Sequence, residues 1–358
     1  MKLDAFQYLY ERQGPFASVY LDSNRAIPQG EQEVELHWKA AAERLKGADQ
    51  ATLQALETLI TSVDAAAPGR AAFAADGEVL YTEALPDKPR RETSRWSPLP
   101  HLMPLLAQRG ENVPHVQVLI DRTGADVIAI GAGAPRRTQV QPAEDWPLQK
   151  TGQGGWSQRR YENSVEKAWE HNAKTVAEEV DREVRRMGAE LVVVAGDPKA
   201  VPLFRQHLGH EAAERTVVVE HGNRAEGSDP TMFGKEVEAT LDDWLDRRRA
   251  RLLERFGEAL PRDLAVTGLD AVAKAFRERR VDTLLMVDHS TADGMMWIGP
   301  GGDQLGPDPE ELRTWGVSEP VEERADAALA RAAVMTDAQL VFVPELDTRD
   351  EVAALLRF

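Results

Sequence analysis

The pattern of apolar and polar positions changes period several times along the chain. Phe16 to Asp22 (FASVYLD) alternates Ala, Val and Leu with smaller or polar residues, which predicts a strand. From Gly30 to Lys46 the period becomes helical, with Val34, Trp38, Ala41, Ala42 and Leu45 on one face and Glu31, Glu33, Glu35 and Glu43 elsewhere. A second helix is predicted over Ala51 to Ala66 from Leu53, Leu56, Leu59, Ile60 and Val63. Arg70 to Ala75 and Val79 to Thr82 flank the turn Ala75-Asp76-Gly77-Glu78 and predict a hairpin. Leu85 to Pro104 holds five prolines and reads as an exposed connector with no long regular element.

Val116 to Asp121 and Ala125 to Ile130 are β-rich runs joined by Arg122-Thr123-Gly124, a second predicted hairpin. The next stretch, Gly131 to Gln158, spans about 28 residues without clear period, longer than a structural connection needs, and is a candidate functional loop. A long helix is expected from about Arg159 to Met187, because Val165, Trp169, Val176, Val180, Val184 and Met187 share a face. Glu190 to Ala195 predicts a buried strand, Gly196-Asp197-Pro198 a turn and helix cap, Lys199 to Leu208 a helix and Thr216 to Glu220 a strand. A helix capped by Asp229-Pro230 follows to about Phe256, with Val237, Leu241, Leu245 and Leu252 inside.

After Pro261 the pattern gives a helix over Leu269 to Arg280, a strand over Thr283 to Asp288, and a turn-rich insertion. A helix from Glu322 to Met335, a strand from Gln339 to Pro344 and a short closing helix from Arg349 to Leu356 complete it. The fold class is mixed α/β, divided into domains at 1–112, 113–258 and 259–358.

Composition narrows the function. With 358 residues, 60 acidic against 43 basic side chains and a net charge of −17, the chain does not suit broad phosphate binding through a basic face. Zero cysteines exclude disulfides, thiolate metal sites and thiol nucleophiles. No apolar run approaches the roughly 20 residues that cross a bilayer, and the start MKLDAFQYLYERQG lacks a signal-peptide pattern, so a cytoplasmic protein without a membrane partner is expected. Gly131-Ala132-Gly133 after a strand lacks the third glycine of a dinucleotide turn. His289 has no triad partners placed by motif, and His207, His210 and His221 match no ligand spacing. No cofactor and no metal are expected. Arg247, Arg248, Arg249 and Arg251 read as a solvated helix face balanced by Asp242, Asp243 and Asp246. Arg90, Arg91 and Arg95 with Trp96 read either as an RNA-stacking element or as a charged surface loop.

The most informative stretch is Gly154-Gly155-Trp156-Ser157-Gln158, followed by Arg159, Arg160 and the long helix. Paired glycines free the backbone for close approach, the glutamine brings a donor and an acceptor, and the arginines bring cations. Such a segment suits a reaching finger on a rigid stalk.

Hairpin, GGWSQ loop, basic helix start, long amphipathic helix and the strand ELVVVAGDP together resemble the central domain of archaeo-eukaryotic class-1 release factors and Pelota. VDTLLMVDHS and VMTDAQLVFVPE, separated by an insertion and a helix, resemble the C-terminal domain of the same superfamily. The chain is similar in particular to the bacterial branch of actinobacterial-type release-factor-like proteins, ribosome hibernation factors among them. The resemblance implies a three-domain release-factor/Pelota-like architecture: a central α/β domain with a Gly-Gly-containing loop, a C-terminal α/β sandwich, and residues 1–112 facing the decoding centre. It implies the 70S ribosome as partner, through ribosomal RNA at the A site and peptidyl transferase centre, and delivery by elongation factor Tu. Gly154, Gly155, Trp156, Ser157, Gln158, Arg159 and Arg160, with Arg136 and Arg137, are the expected ribosome-binding residues.

Two departures shape the functional expectation. Trp156 and Ser157 stand between the glycine pair and Gln158, where release factors have a contiguous Gly-Gly-Gln. Residues 1–112 contain neither the Asn-Ile-Lys-Ser element nor the cysteine motif of stop-codon reading. Codon-independent occupation of the A site remains, as hibernation, a role that needs no chemistry, or as peptidyl-tRNA hydrolysis in release or rescue with Gln158 as the catalytic residue. An α/β protein that binds another protein is the third alternative.

Overall fold

The computed structural model describes the chain except residues 2, 26–29, 63–66, 86, 111–112, 132–134, 142–154, 225–229, 288–293 and 349, and leaves aside the side chains of 62, 155–166 and 230. The chain packs as two compact units: Met1–Glu111 with Arg249–Phe358, and Asn112–Arg248.

The first unit opens with α1 (Gln7–Tyr10), β1 (Phe16–Asp22), α2 (Gly30–Arg44), α3 (Gln50–Ser62), β2 (Gly69–Ala75), β3 (Glu78–Leu85), β4 (Thr93–Ser97) and α4 (Met103–Arg109). Its antiparallel sheet has the order β3-β2-β1-β4. Val34, Trp38, Ala41 and Leu45, the apolar face read from the sequence, pack with Leu56 and Ile60 of α3 on Ala17, Val19 and Leu21 of β1. The connector expected over Leu85 to Pro104 instead holds a strand: β4 pairs with β1 from Phe16↔Ser97 to Tyr20↔Thr93. Its prolines flank the proline-free window 90–97, so the ladder loses no donor.

The second unit contains β5 (His115–Asp121), β6 (Gly124–Ile130), β7 (Arg136–Val140), α5 (Gly155–Met187), β8 (Leu191–Gly196), α6 (Ala200–His207), α7 (His210–Glu214), β9 (Thr216–Val218) and the first part of α8 (Pro230–Ala259). The mixed sheet runs β7-β6-β5-β8-β9, with β5, β8 and β9 parallel. Ala173, Val176, Ala177, Val180 and Val184 of α5 bury against Val116, Val118, Ile120, Val127, Val192 and Val194 on one face. Phe233 and Val237 of α8 bury with Leu191, Val193 and Ala195 on the other. The expected long loop is shorter than its sequence suggested. Arg136–Val140 pairs antiparallel with β6, and α5 begins at Gly155, four residues before the predicted start.

The rest of the first unit comprises β10 (Ala265–Thr267), α9 (Leu269–Arg277), β11 (Val281–Val287), β12 (Met295–Ile298), β13 (Leu305–Gly306), α10 (Pro309–Thr314), β14 (Val321–Arg324), α11 (Ala325–Met335), β15 (Gln339–Val343) and β16 (Val352–Leu356). They form a sheet of order β10-β16-β11-β15 and a small sheet β13-β12-β14. The closing segment is therefore a strand, not the predicted helix. Val352–Leu356 lies between β10 and β11 with every residue buried, and two-sided burial overrides the helix preference of Ala and Leu. Glu322 to Arg324, expected in a helix, pair with β12 as part of β14.

Candidate functional site

Gly155 to Gln158 of the GGWSQ segment stand at the start of α5. Gly154 lies outside the described residues; Gly155, Trp156, Ser157 and Gln158 form the first turn, and Arg159 and Arg160 follow in the helix. The backbone N–H groups of a helix's first four residues have no acceptor within the helix, so Gly155 to Gln158 present the donor end of a dipole about 33 residues long. Among the described side chains of α5 the first one buried is Ala173. At about 1.5 Å per residue, roughly 27 Å of helix separates Gly155 from that anchor.

A polar cluster fixes the stalk where it meets the sheet. The Arg122 guanidinium, in the β5–β6 turn, stacks 4.6 Å from the Trp169 ring centre, and Lys199 Nζ lies 5.8 Å from the same ring. Arg122 Nε pairs with Asp197 Oδ2 at 3.0 Å, while Asn172 Nδ2 donates to the Arg122 carbonyl at 2.9 Å. Asp197 Oδ1 also accepts from the Lys199 N–H at 2.8 Å. Desolvation acts to raise the Asp197 pKa, but the Lys199 N–H and the Arg122 guanidinium together bring it below the ordinary carboxylate value. Gly196 makes this end of the sheet possible: its φ is +147°, and a Cβ there would stand 1.8 Å from the Ile120 carbonyl oxygen. Nearby, Arg224 bridges Asp121 at 2.9 Å and Asp126 at 3.2 Å, tying the segment after β9 to the hairpin.

The other expected residues separate. Arg136 and Arg137 lie exposed on β7. Arg136 Nε is 3.7 Å from Glu183 Oε1 of α5, a buried carboxylate that also pairs with Arg186; Arg136 thus joins strand to stalk. Arg137 has no carboxylate partner among the described residues. His207, His210 and His221 each sit beside a separate glutamate, Glu170, Glu214 and Glu236. The hydrogen bond to Glu236 raises the His221 pKa, and the same bond lowers that of Glu236. Arg248 stacks on Trp244 at 5.3 Å and lies 3.4 Å from Glu190. His289, Ala132 and Gly133 lie outside the described residues. No described helix is long and apolar enough to cross a membrane.

Sequence reading missed two groupings. The Arg122–Trp169–Asp197 cluster joins residues 28 to 75 positions apart that only the sheet brings together, although Arg-Thr-Gly and Gly-Asp-Pro marked both turns. In the first unit, buried Glu323 accepts from the Leu99 N–H at 3.1 Å and from Arg95 Nη2 at 3.3 Å. Beside it, Asp326 accepts from His101 Nε2 and from Arg324 Nε, both at 3.0 Å. Burial alone would raise the Asp326 pKa; His101 and Arg324 more than offset that and hold it well below the carboxylate range.

Residues 114–262, which span the sheet, the stalk and its root, match bacterial archaeo-eukaryotic release factor family 2. That stretch of the chain is thus similar to the bacterial branch of the archaeo-eukaryotic release factors. Uncharacterized proteins from two strains of Mycobacterium tuberculosis, H37Rv and CDC 1551, are each 28% identical to it over 376 positions, covering 100% of this chain and 97% of the relative. Among solved structures, an archaeal translation termination factor, aRF1, is similar at 18% identity and a TM-score of 0.27, over 99% of this chain and 96% of that one. A model of ribosome-bound archaeal Pelota and ABCE1 is similar at 16% identity and a TM-score of 0.41, over 100% and 95%.

Proposed function

We propose that this chain is a ribosome-binding translation factor that occupies the A site and protects idle ribosomes in the cytoplasm. The observation that carries the reading is the family match over residues 114–262, with Gly155 to Gln158 opening a 33-residue helix whose far half is buried on the sheet. In this reading residues 1–112, 113–258 and 259–358 act as the three domains, the first toward the decoding centre and Gln158 toward the peptidyl transferase centre. Gly154 to Arg160, with Arg136 and Arg137, meet ribosomal RNA, and elongation factor Tu delivers the protein. Short cationic islands on a chain of net charge −17 suit one shaped, RNA-walled site and oppose indiscriminate phosphate binding.

A second reading, peptidyl-tRNA hydrolysis, draws on Gly154, Gly155 and Gln158 themselves. Against it stands the helical start at Gly155, which sets Gln158 three residues along a helix from the paired glycine. A misplacement of about 1 Å can cost on the order of 10²-fold in rate. A single-turnover assay on ribosome-bound peptidyl-tRNA decides between the readings. Protection predicts bound protein and no peptide release. Release that disappears in Gln158→Ala would establish the hydrolase instead.

A further inference from the structure

A cleft of the first unit, about 880 Å³, lies beside the Glu323 and Asp326 network and reverses the sign of the chain's charge. Arg44, Arg90, Arg91, Arg95 and Arg324 line it, against two carboxylates, Glu92 and Asp326. Both carboxylates are engaged within the protein. Glu92 Oε1 accepts from the Asp22 N–H at 3.0 Å and pairs with His37, and Asp326 is held by His101 and Arg324. Arg95 and Arg324 are fixed by buried partners, so their guanidinium groups are positioned before any ligand arrives. Arg44 and Arg91 are exposed and have no carboxylate partner among the described residues. The floor is apolar, formed by Met103, Met286 and Phe342.

We infer that this cleft binds a nucleoside di- or triphosphate. An arginine set with fixed and adaptable members is suited to phosphate oxygens, which accept paired N–H bonds from guanidinium. A methionine-rich floor takes a flat heterocycle without demanding one shape, and the volume falls within the roughly 300–1,000 Å³ of small-molecule sites. One observation favours a small ligand over an RNA strand. A long polyanion meets the whole chain's charge of −17, whereas a nucleotide samples only the local field.

Isothermal titration of the full chain with ATP, GTP, pyrophosphate and a short single-stranded RNA tests the inference. The expected result is saturable binding of a nucleoside triphosphate with Kd below about 100 μM. Binding should weaken at least about tenfold in R44E/R91E, whose unfolding temperature is unchanged because both side chains are exposed. If the charge-reversed pair does not fold, R91Q decides, with a several-fold loss expected. No saturable nucleotide binding at about 1 mM would overturn the inference. So would affinity unchanged by these variants, RNA binding without nucleotide binding, or pyrophosphate binding as tightly as the triphosphates.

Discussion

The stalk root of the central unit and the Glu323–Asp326 network of the unit built from the chain's two ends hold charge in opposite ways. At the stalk root the ionic groups gather where the parallel strands β5 and β8 end, and Arg122, Asp197 and Lys199 stay in reach of water beside Trp169. In the other unit Glu323 and Asp326 are buried, and their partners Arg95, Leu99 and His101 come from more than 220 residues away in sequence. A surface cluster positions a projecting helix at little energetic risk, since exposed pairs contribute about 0–1 kcal/mol. A buried one joins two distant stretches of chain but leaves an uncompensated charge if either side is lost.

The comparison breaks most sharply at Glu323. Glu323→Ala removes the acceptor for Arg95 and for the Leu99 N–H and should destabilise the fold by about 3–5 kcal/mol. Chemical denaturation measures it, and a loss under about 1 kcal/mol would place the pair with ordinary surface bridges. Next comes the backbone at Gly196. Gly196→Ala puts a methyl against the Ile120 carbonyl at a φ that alanine resists, with an expected cost of at least about 2 kcal/mol.

A smaller effect separates the units by pH. The folded pKa of Asp326 is depressed, so its stabilisation is complete above the unfolded value of about 4 and is lost as pH falls toward the folded one. Asp326→Asn should flatten the acid limb of the stability curve below about pH 4; an acid limb identical to that of the parent chain would contradict the assignment. Smallest is the stalk root. Trp169→Leu removes the Arg122 stacking and should cost about 0.5–1 kcal/mol, with faster amide exchange in the half of α5 before Ala173. Unchanged exchange there would show that the cluster does not hold the stalk.

The same contrast explains what was legible in the sequence. Local periodicity marked β1, α2, the β5–β6 hairpin and α5 within a few residues, because one face of each meets a core and the other meets water. It misread Val352–Leu356, where Ala and Leu favour a helix and only the neighbours β10 and β11 make a strand. It also passed over β4, whose prolines lie outside the paired residues. At the candidate site, the long helix after the glycine pair was legible from its apolar period. The ion pair of Arg136 was not, since its partner Glu183 is 47 residues away and hidden on α5. The arginine cleft was half visible: Arg90, Arg91 and Arg95 stood out as a cluster, whereas Arg44 and Arg324 join them only through folding.

The most direct test of the ribosomal role is a cryo-EM map of 70S ribosomes mixed with the purified chain at physiological salt. The proposed function predicts density for the chain in the A site, with the start of α5 and Gln158 at the peptidyl transferase centre. Ribosomes with an empty A site, or the chain bound elsewhere on the particle, would contradict it.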